Sequence, residues 1–396
     1  MYNVSLVKAG AYNQEIVDKA VQESIDLLGG INNFIKPNQR VALKVNLLMK
    51  ADPERQATTH PSVVEALIKI IKEMKAIPFI VDSSGGPFNE TYMNNVYKAS
   101  GMTAVAKRQE IELNQNFNSV EVECPNSIVG KKFLILEALE TADVIINVTK
   151  LKTHSFTGYT NAVKNMFGAI PGLTKVEMHG KYRTLDVFAD FLYDIHDYFK
   201  GKLVLNITDA IMGMQGPGPS NGTPKKIGAI LASANPLALD IVACKLINID
   251  INLMPIINKG LSRKMVDSVN DIRILGEELE PLIIKDYEIV MPNNYKPFAT
   301  IVPKFLQPLV HKVMTKRPII NKKQCKGCKK CYEHCPVKAI SMVEYKKGQP
   351  LKAEIDYNKC IRCYCCQELC PYGVVKVKSG IIYRIVNHKQ NKKSKK

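Results

Sequence analysis

Eight of the eleven cysteines in this 396-residue chain form two copies of one pattern near the carboxyl end. Each copy reads Cys-x2-Cys-x2-Cys-x3-Cys-Pro, and the second copy follows the first at an offset of 35 residues. This is the spacing of bacterial-type ferredoxins, which hold two 4Fe–4S clusters. The pattern therefore predicts a protein that transfers single electrons. The two copies consist of Cys325, Cys328, Cys331 and Cys335, and of Cys360, Cys363, Cys366 and Cys370.

A crossed arrangement of cluster ligands is expected from the last cysteine of each copy. In ferredoxins of this type, the cysteine before proline binds the cluster of the other copy. We therefore predict two 4Fe–4S clusters in one small domain, with short strands near residues 318–320, 340–344, 352–356 and 374–378. One cluster is assigned to Cys325, Cys328, Cys331 and Cys370, and the other to Cys360, Cys363, Cys366 and Cys335.

Other interpretations of the cysteines fit the sequence less well. Structural zinc also uses Cys-x2-Cys pairs, but it favours two pairs separated by a longer loop. Disulfides are not expected, because the sequence begins without a secretory signal. Cys365 lies between two predicted ligands and is either a small buried residue or a replacement ligand after oxidative damage. Cys124 and Cys244 are isolated and are predicted to pack in the core.

The charge of the chain is concentrated at its carboxyl end. Residues 301–396 hold 23 Lys and Arg against five Asp and Glu, whereas residues 1–300 hold 32 of each. The predicted clusters offset part of this excess, because a cubane with four thiolates is an anion. The basic tail at residues 381–396 is expected to be solvated, or else to attract an acidic redox partner protein or an anionic membrane. Nucleic acid binding is not expected, since no recognition motif accompanies the charge.

The composition suits a soluble globular protein, with 46% hydrophobic and 7% aromatic residues. No apolar run reaches the length needed to cross a bilayer, so no transmembrane segment is expected. Residues 1–8 are typical of a first strand and not of a signal peptide. Together with the oxygen sensitivity of 4Fe–4S clusters, these features predict a cytoplasmic protein.

Strands and helices alternate along residues 1–290, which predicts an α/β domain with a mostly parallel sheet covered by helices. A proline-rich linker is expected at residues 291–320, followed by a small C-terminal α+β two-cluster ferredoxin-type domain at residues 321–380. One helix should begin at a capping box of Ser62 and Glu65, and another at Pro236. Strands are expected at residues 4–7, 41–47, 77–81, 144–148, 203–207 and 228–232, and further helices at 14–28, 160–168 and 185–198.

A cationic site is predicted where the strand at residues 144–148 ends. Ligands of open parallel sheets bind beyond the carboxyl ends of the strands. Residues 150–183 hold six Lys and Arg but one acid, an excess that fits a carboxylate or phosphate ligand. Lys150 and Lys152 should point to the same side of an extended segment. The helix that follows should present one polar stripe, formed by Asn161, Lys164, Asn165 and Gly168.

Neighbouring strand ends supply further candidates for this site. Lys44 and Asn46 share a face of their strand, and the turn at residues 82–86 offers Asp82 and glycine amides without a dinucleotide-binding spacing. The loop at residues 215–222 is either a lid or an ordinary surface connection. The alternative for the whole site is that its lysines only pair with scattered acids. Three further residues are either part of the site or structural. They are His60, Asp209 and Asp240.

Several segments together resemble an uncharacterised family of iron–sulfur proteins, a domain of unknown function that often carries a ferredoxin unit. One departure is Val45, where the family pattern has proline between the lysine and the asparagine. The resemblance implies the two-part architecture and names no reaction. The segments that carry it are residues 43–46, 59–61, 82–85, 147–154, 161–168, 208–210 and 236–240.

The predicted sites favour an oxidoreductase that passes electrons between its clusters and an anionic substrate. The lysines would neutralise the substrate, and His154 would donate a proton near neutral pH. The alternative is a non-enzymatic electron carrier or assembly factor whose large domain binds a protein partner. Candidate catalytic residues are Lys150, Lys152, His154, Lys164 and Asn165, and candidate substrate-binding residues are Lys44, Asn46, Asp82 and Asn161.

Overall fold

The computed structural model describes residues 1–292, 316–346 and 348–378. Most of the predicted linker and the predicted basic tail therefore lie outside the described residues. Within them, no helix is long and apolar enough to cross a membrane.

One large sheet organises residues 1–292. Numbered along the chain and bounded as given in the next sentence, its strands lie in the order β11-β1-β10-β9-β7-β2-β3-β4, and β8 is added to the end of β7. The strands are β1 (Tyr2–Lys8), β2 (Arg40–Lys44), β3 (Ile77–Val81), β4 (Glu112–Leu113), β7 (Val144–His154), β8 (Gly158–Thr160), β9 (Leu203–Gln215), β10 (Thr223–Ser233) and β11 (Ile272–Gly276), while β5 (Ser119–Glu123) and β6 (Lys132–Leu136) form a separate hairpin.

The sheet is mixed and mostly parallel, as the alternation of elements predicts. The central pairs β9–β7, β7–β2 and β2–β3 are parallel, and so are β3–β4 and β1–β11. The pairs β1–β10, β10–β9 and β7–β8 are antiparallel. Because β7 has parallel neighbours on both sides, its carboxyl end lies at the centre of the edge where ligands bind in such sheets.

Helices cover both faces of the sheet, and two hydrophobic layers result. Val17, Leu67 and Val96 belong to the layer on one face, and Phe188 and Leu239 to the layer on the other. Every residue of β7 is buried as a consequence. The helices are α1 (Gln14–Asp26), α2 (Pro61–Glu73), α3 (Glu90–Ala99), α4 (Met102–Gln109), α5 (Glu137–Glu140), α6 (Ala162–Asn165), α7 (Thr174–Lys181), α8 (Leu185–Tyr198), α9 (Pro236–Leu246) and α10 (Pro255–Ser262).

Two local predictions in this domain are wrong. The start of α2 is capped by His60, whose Nδ1 accepts from the amide of Ser62 at 3.2 Å, so Ser62 and Glu65 form no capping box. Glu65 instead binds Arg108. The helix expected at residues 160–168 is only the short α6 followed by a 3₁₀ turn, Met166–Ala169. Its first predicted residue belongs to β8, which pairs with the end of β7.

The ferredoxin-type domain has its four short strands where the sequence predicts them. The strand β12 (Arg317–Ile320) pairs with β15 (Val375–Lys378), and β13 (Ile340–Val343) pairs with β14 (Lys352–Ile355). The strand β12 lies within the range predicted as linker. Two short helices, α11 (Lys330–Glu333) and α12 (Cys365–Glu368), contact each other. Six of the eight candidate ligand cysteines, all except Cys328 and Cys363, pack with Ile340, Ala353 and Val375 in one small core.

Candidate functional site

The cysteines of the ferredoxin-type domain lie close together. Cys331 and Cys366 each have the other three members of one predicted ligand group nearby, and Cys366 is also near Cys331 of the other group. Burial raises the pKa of Cys331 to about 11, with a smaller contribution from the nearby thiols of Cys370, Cys328 and Cys325. Burial also raises the pKa of Cys366, and its neighbours include Cys363, Cys360 and Cys335. Such clustered thiols are mutually destabilising when ionised and fit a group that binds thiolates.

A small apolar cavity lies among the second group of cysteines. Cys335, Cys360, Cys363 and Cys366 all line it, and so does Ile340. The Sγ atom of Cys335 also accepts a hydrogen bond of 3.2 Å from the amide of Ala339. Amide donors to sulfur are one of the ways in which proteins tune iron–sulfur clusters. The residues present therefore fit a 4Fe–4S cluster.

A larger cavity of about 480 Å³ lies between the α/β domain and the ferredoxin-type domain. The carboxyl ends of β2, β3 and β7 supply one wall, and α11 and α12 supply part of another. This volume falls within the usual range for a small-molecule site. The polar residues that line it from the α/β domain include Lys44, Asn46, Asp82, Lys152, His154, Thr160, Lys164, Asn165, Lys175 and His179.

Lys44 and Asp82 form a buried ion pair at the carboxyl ends of the adjacent strands β2 and β3. The Lys44 Nζ lies 2.7 Å from Asp82 Oδ1, and Asp82 Oδ2 accepts from the amide of Leu47. Gly168 packs against the pair so closely that a Cβ atom there would lie 2.5 Å from each partner. Glycine at this position therefore lets the 3₁₀ turn approach the ion pair.

Lys152 belongs to a chain of hydrogen bonds that links three elements. Its Nζ donates to Asn46 Oδ1 at 2.9 Å and to the carbonyl of Ala57. The Nδ2 of Asn46 donates in turn to Asn165 Oδ1 at 2.8 Å. No carboxylate is part of this chain, and burial, together with the neighbouring Lys164, lowers the pKa of Lys152 to about 7.

Lys164 is a cation that reaches the cavity without a paired acid. Its Nζ lies 5.5 Å from the centre of the Phe167 ring. None of the ion pairs in the described part of the chain includes it. Burial lowers the pKa of Lys164, while the nearby Glu368 and Cys365 oppose that effect. A half-buried cation of this kind is stabilised when an anion binds beside it.

The ring of His154 has a defined orientation. Its Nδ1 accepts from the amides of Phe156 at 3.1 Å and Thr157 at 3.4 Å, so the proton lies on Nε2. The Nε2 atom faces Glu368 Oε1 at 3.3 Å. Burial lowers the pKa of His154 well below its usual range, and Lys164 adds to the shift. The neutral ring near pH 7 can donate a hydrogen bond from Nε2 into the cavity.

Two further polar groups at the cavity have no hydrogen-bond partner among the described residues. They are the Oγ1 atom of Thr160 and the Nδ1 atom of His179, and both residues are 3% exposed. Buried polar atoms are rarely left without partners. A bound ligand with hydrogen-bonding groups would satisfy them.

Lys175 is a cation of the cavity that the sequence did not single out. Its Nζ donates to Ser83 Oγ at 2.7 Å and to the carbonyls of Ser83 and Ser84. Burial lowers its pKa to about 7. The charge excess of residues 150–183 was the available signal, but only the fold shows that Lys175 faces the turn after β3.

Two candidate residues lie apart from this cavity. Lys150 pairs with Asp209 at 3.0 Å and donates to the Tyr12 hydroxyl at 2.6 Å. Lys152 lines the cavity and Lys150 does not, and the register of β7 with β9 shifts between them because β9 has extra residues there. Asn161 also lies outside the cavity, and its Oδ1 accepts from Thr208 Oγ1 at 2.8 Å.

His60 and Asp240 both make contacts that stabilise the start of a helix. His60 caps α2 and stacks on Tyr12 at a centroid distance of 3.6 Å. Asp240 accepts from the amide of Ala162 at 2.7 Å and from the hydroxyl of Tyr159 at 2.9 Å. It therefore holds the start of α6, which carries Lys164, although its own helix is α9.

The loop at residues 215–222 joins the two domains. The Oγ1 of Thr153 donates to the carbonyl of Gly216 at 2.8 Å, which fixes the loop to β7. On the other side, the Nε2 of Gln367 in α12 donates to the carbonyl of Pro217 at 3.1 Å. Pro219 lines the cavity. The loop therefore contacts both domains, and it is not an ordinary surface connection.

The ferredoxin-type domain contributes residues that sequence reasoning missed. Cys365 and Glu368 of α12 line the cavity, and Lys330, Glu333 and His334 line it from α11 and its end. Cys365 is buried, as the simpler of its two interpretations predicts, and it faces the cavity between two candidate ligands. Cys124 and Cys244 are buried in the core, as predicted.

The fold and the cysteine groups define an iron–sulfur protein in which an α/β domain is joined to a ferredoxin-type domain. Residues 324–374 match the family described as 4Fe-4S dicluster domain. Residues 41–245 match the family described as Domain of unknown function (DUF362). The chain belongs to the DUF362 family, and it is an iron–sulfur electron-transfer protein with a 4Fe–4S ferredoxin domain.

Several known proteins are similar to parts of this chain, and the aligned part differs in length from one protein to the next. Thylakoid-associated protein sll1697 of Synechocystis sp. is 31% identical over 254 residues, which make up 64% of this chain and 77% of that protein. Dihydromethanopterin reductase (acceptor) of Methanosarcina mazei is 40% identical over 80 residues, which make up 19% of this chain and 31% of that enzyme. The lactate racemase apoprotein from Thermoanaerobacterium thermosaccharolyticum aligns with a TM-score of 0.38 and 14% identity, over 62% of this chain and 56% of that one.

Proposed function

We propose that this protein is an oxidoreductase that passes electrons between two 4Fe–4S clusters and an anionic small molecule bound in the cavity between its domains. The observation that carries the proposal is the position of Lys164. This half-buried cation lines the cavity without an ion-pair partner within 4 Å among the described residues, as does Cys365, which is adjacent in sequence to the ligand candidate Cys366. A cationic site and an electron carrier therefore share one wall.

The two clusters would be held as the sequence predicts, each by three cysteines of one copy and the last cysteine of the other. When bound, they supply one electron each at low potential. The protein's own side chains would attract, orient and protonate the substrate.

Substrate binding is supported by the distribution of charge. Lys152, Lys164 and Lys175 all contribute positive charge, and Lys44 is already neutralised by Asp82. Lysine and arginine side chains outnumber the carboxylates that line the cavity, which favours a ligand with a carboxylate or phosphate group. Thr160 Oγ1 and the Nε2–H of His154 provide hydrogen bonds that would orient it.

Proton delivery fits Lys152 better than His154, to which the sequence assigned it. The pKa of Lys152 is lowered to about 7, mainly by burial, so its ammonium group can release a proton near neutral pH. His154 is neutral under the same conditions and acts as a hydrogen-bond donor. Each electron that enters the substrate would thus be matched by a proton from Lys152, which is then reprotonated from solvent.

The test compares the wild-type protein with Lys164→Gln and with the control Lys181→Gln, in which an exposed lysine of α7 outside the cavity is changed. The anaerobically reconstituted proteins are titrated calorimetrically with a panel of small carboxylates and phosphates. Each protein is then reduced with dithionite, and reoxidation is followed by cluster absorbance. Loss of one charge-assisted contact should weaken binding of an active anion at least about tenfold.

Binding and reoxidation by the same anion in the wild-type and control proteins, with both lost in Lys164→Gln, would support the proposal. Cluster absorbance should be equal in all three proteins. If Lys164→Gln binds and reacts as the wild type does, the cavity is not the substrate site. A panel that neither binds nor reoxidises any of the proteins would favour the alternative of an electron carrier with a protein partner.

A further inference from the structure

The two copies of the cysteine pattern have the same backbone but opposite environments. Cys328 of the first copy is exposed, whereas its counterpart Cys363 is buried. The residues that follow them, Lys329 and Tyr364, share a left-handed conformation with φ of 62° and 64°. They begin the equivalent helices α11 and α12. The difference between the copies is therefore one of side chains and partners, and not of local fold.

The second copy is packed into the α/β domain. Tyr364 is 1% exposed and belongs to the hydrophobic layer of that domain, and its hydroxyl donates to the carbonyl of Lys316 at 3.0 Å. Gln367 is 1% exposed and is bound to the loop of residues 215–222. Cys365 faces the cavity. The turn of the second copy is thus fully used as an internal interface.

The first copy leaves the equivalent turn on the surface. Lys326, Lys329 and Lys330 are all exposed, and none of the ion pairs in the described residues includes them. Tyr332, the counterpart of Gln367, is 44% exposed. These residues flank the exposed Cys328 in the sequence, and Lys330 also lines the cavity. A cluster ligand at the surface, within a patch of unpaired lysines, marks where an electron can cross to another molecule.

We propose that residues 326–332 form the docking surface for an acidic one-electron carrier protein, such as a small flavodoxin or ferredoxin. The electron crosses at the cluster held by Cys328, and the cluster held by Cys363 serves the cavity. This inference rests on the two-cluster part of the proposed function. In each encounter the carrier loses one electron and the first cluster gains it, and no bond forms or breaks.

Charge complementarity is the physical basis for this choice of partner. Residues 321–335 hold five lysines and one acid. Opposite fields on two proteins raise association rates by about 10- to 1000-fold, and the gain decreases as salt screens the charges. An exposed aromatic ring at the edge of such a patch adds apolar contact area.

The test uses a reduced acidic flavodoxin as the probe. Its reduction of the oxidised protein is followed by anaerobic stopped-flow absorbance at low and high salt. The variant Lys326→Glu/Lys329→Glu reverses two charges of the patch. The control Lys376→Glu/Lys378→Glu reverses two exposed charges on β15 of the same domain. Dithionite, which needs no docking surface, should reduce all three proteins at the same rate.

We expect the second-order rate constant at low salt to fall about tenfold or more in the patch variant and less than twofold in the control. The difference should shrink at high salt. In addition, zero-length carbodiimide cross-links between the oxidised proteins should map to Lys326, Lys329 or Lys330. Equal losses in both variants, no loss in either, or cross-links confined to other lysines would each overturn the inference.

Two further outcomes separate this inference from its rivals. If the patch variant loses binding to anionic phosphatidylserine vesicles but keeps its rate with flavodoxin, the surface is a membrane contact and the inference is wrong. Anion binding in the cavity of the oxidised protein should be unchanged by Lys326→Glu/Lys329→Glu. A failed docking test with intact anion binding therefore overturns only the docking surface, and the proposed function stands.

Discussion

The Nε2 atom of His154 lies 3.3 Å from Oε1 of Glu368, which connects the last residue of β7 with the last residue of α12. One of these residues belongs to the parallel sheet and the other to the ferredoxin-type domain. The contact lies at the cavity, and both side chains line it. The cavity is consequently shared, and a change in either domain alters its charge.

Removing the charge of Glu368 should tighten anion binding. Burial raises the pKa of Glu368, and Lys164 and Lys152 oppose that shift by attracting its carboxylate. Glu368→Gln keeps the size of the side chain but removes the negative charge beside the lysines. At the effective dielectric of such sites, the gain is on the order of 1 kcal/mol, or about fivefold in affinity. Calorimetric titration with the active anion measures it.

The matched control is Glu333→Gln, because Glu333 occupies the equivalent position of the first copy and lines the cavity from an exposed position. Solvent screens its charge, so the control should change affinity much less. Weaker binding in Glu368→Gln would mean that Glu368 acts on the ligand as an acceptor and not through its charge.

The regular parts of the fold could be predicted from the sequence because their patterns are local. The strand at residues 77–81 and the helix at residues 185–198 have the predicted bounds, since buried runs and amphipathic periods need no distant partner. The short α6 could not be predicted, because its start is held by Asp240, which lies 78 residues further along the chain. Local periodicity carries no information on such a contact.

The candidate site was predictable only on one side. Lys152, Lys164 and Asn165 follow directly from the strand end of β7 and the segment after it. Lys150 was assigned to the same site by simple alternation, but it forms an ion pair with Asp209 and does not line the cavity. The wall formed by Cys365 and Glu368 depends on how the two domains pack, and no spacing in the sequence specifies that packing.

Anion binding should weaken as the pH rises from about 6 to about 8. The pKa values of Lys152 and Lys175 are both lowered to about 7, mainly by burial, so both lysines lose their charge in this range. Only the charged forms attract an anion strongly. The dissociation constant should increase by several-fold over two pH units, and Lys152→Gln should show a smaller change. Calorimetry at fixed ionic strength measures both proteins.

The same pKa shifts predict that the ligand-free protein becomes more stable as the pH rises, whereas its affinity for the anion decreases. The folded-state pKa of each lysine lies below its unfolded value of 10.5, so the unfolded chain binds more protons between these values. The free energy of unfolding should therefore rise with pH from about 7 towards 10.5 and be lowest where both lysines are charged. Denaturant unfolding measured across this pH window checks the prediction. A free energy of unfolding that falls with pH would contradict the lowered pKa values of the two lysines.

Substituting Gly168 by alanine should destabilise the protein and weaken anion binding in the cavity. The added Cβ would lie 2.5 Å from both Lys44 Nζ and Asp82 Oδ1, a distance that requires the ion pair or the 3₁₀ turn to move. Overpacking of this kind typically costs about 1–3 kcal/mol in the free energy of unfolding. Displacement of Lys44, which lines the cavity, should also weaken anion binding. Urea unfolding and calorimetric titration measure the two effects separately.

The control for this prediction is Gly201→Ala, since a Cβ atom at Gly201 would meet nothing within 4 Å. Alanine there should leave anion affinity unchanged and stability within about 0.5 kcal/mol of the wild type. If Gly168→Ala behaves like Gly201→Ala, the close approach of the 3₁₀ turn to the Lys44–Asp82 pair is not required. A loss of anion binding at unchanged stability would instead indicate that Gly168 contacts the ligand directly, because the turn then tolerates the methyl group and the bound anion does not.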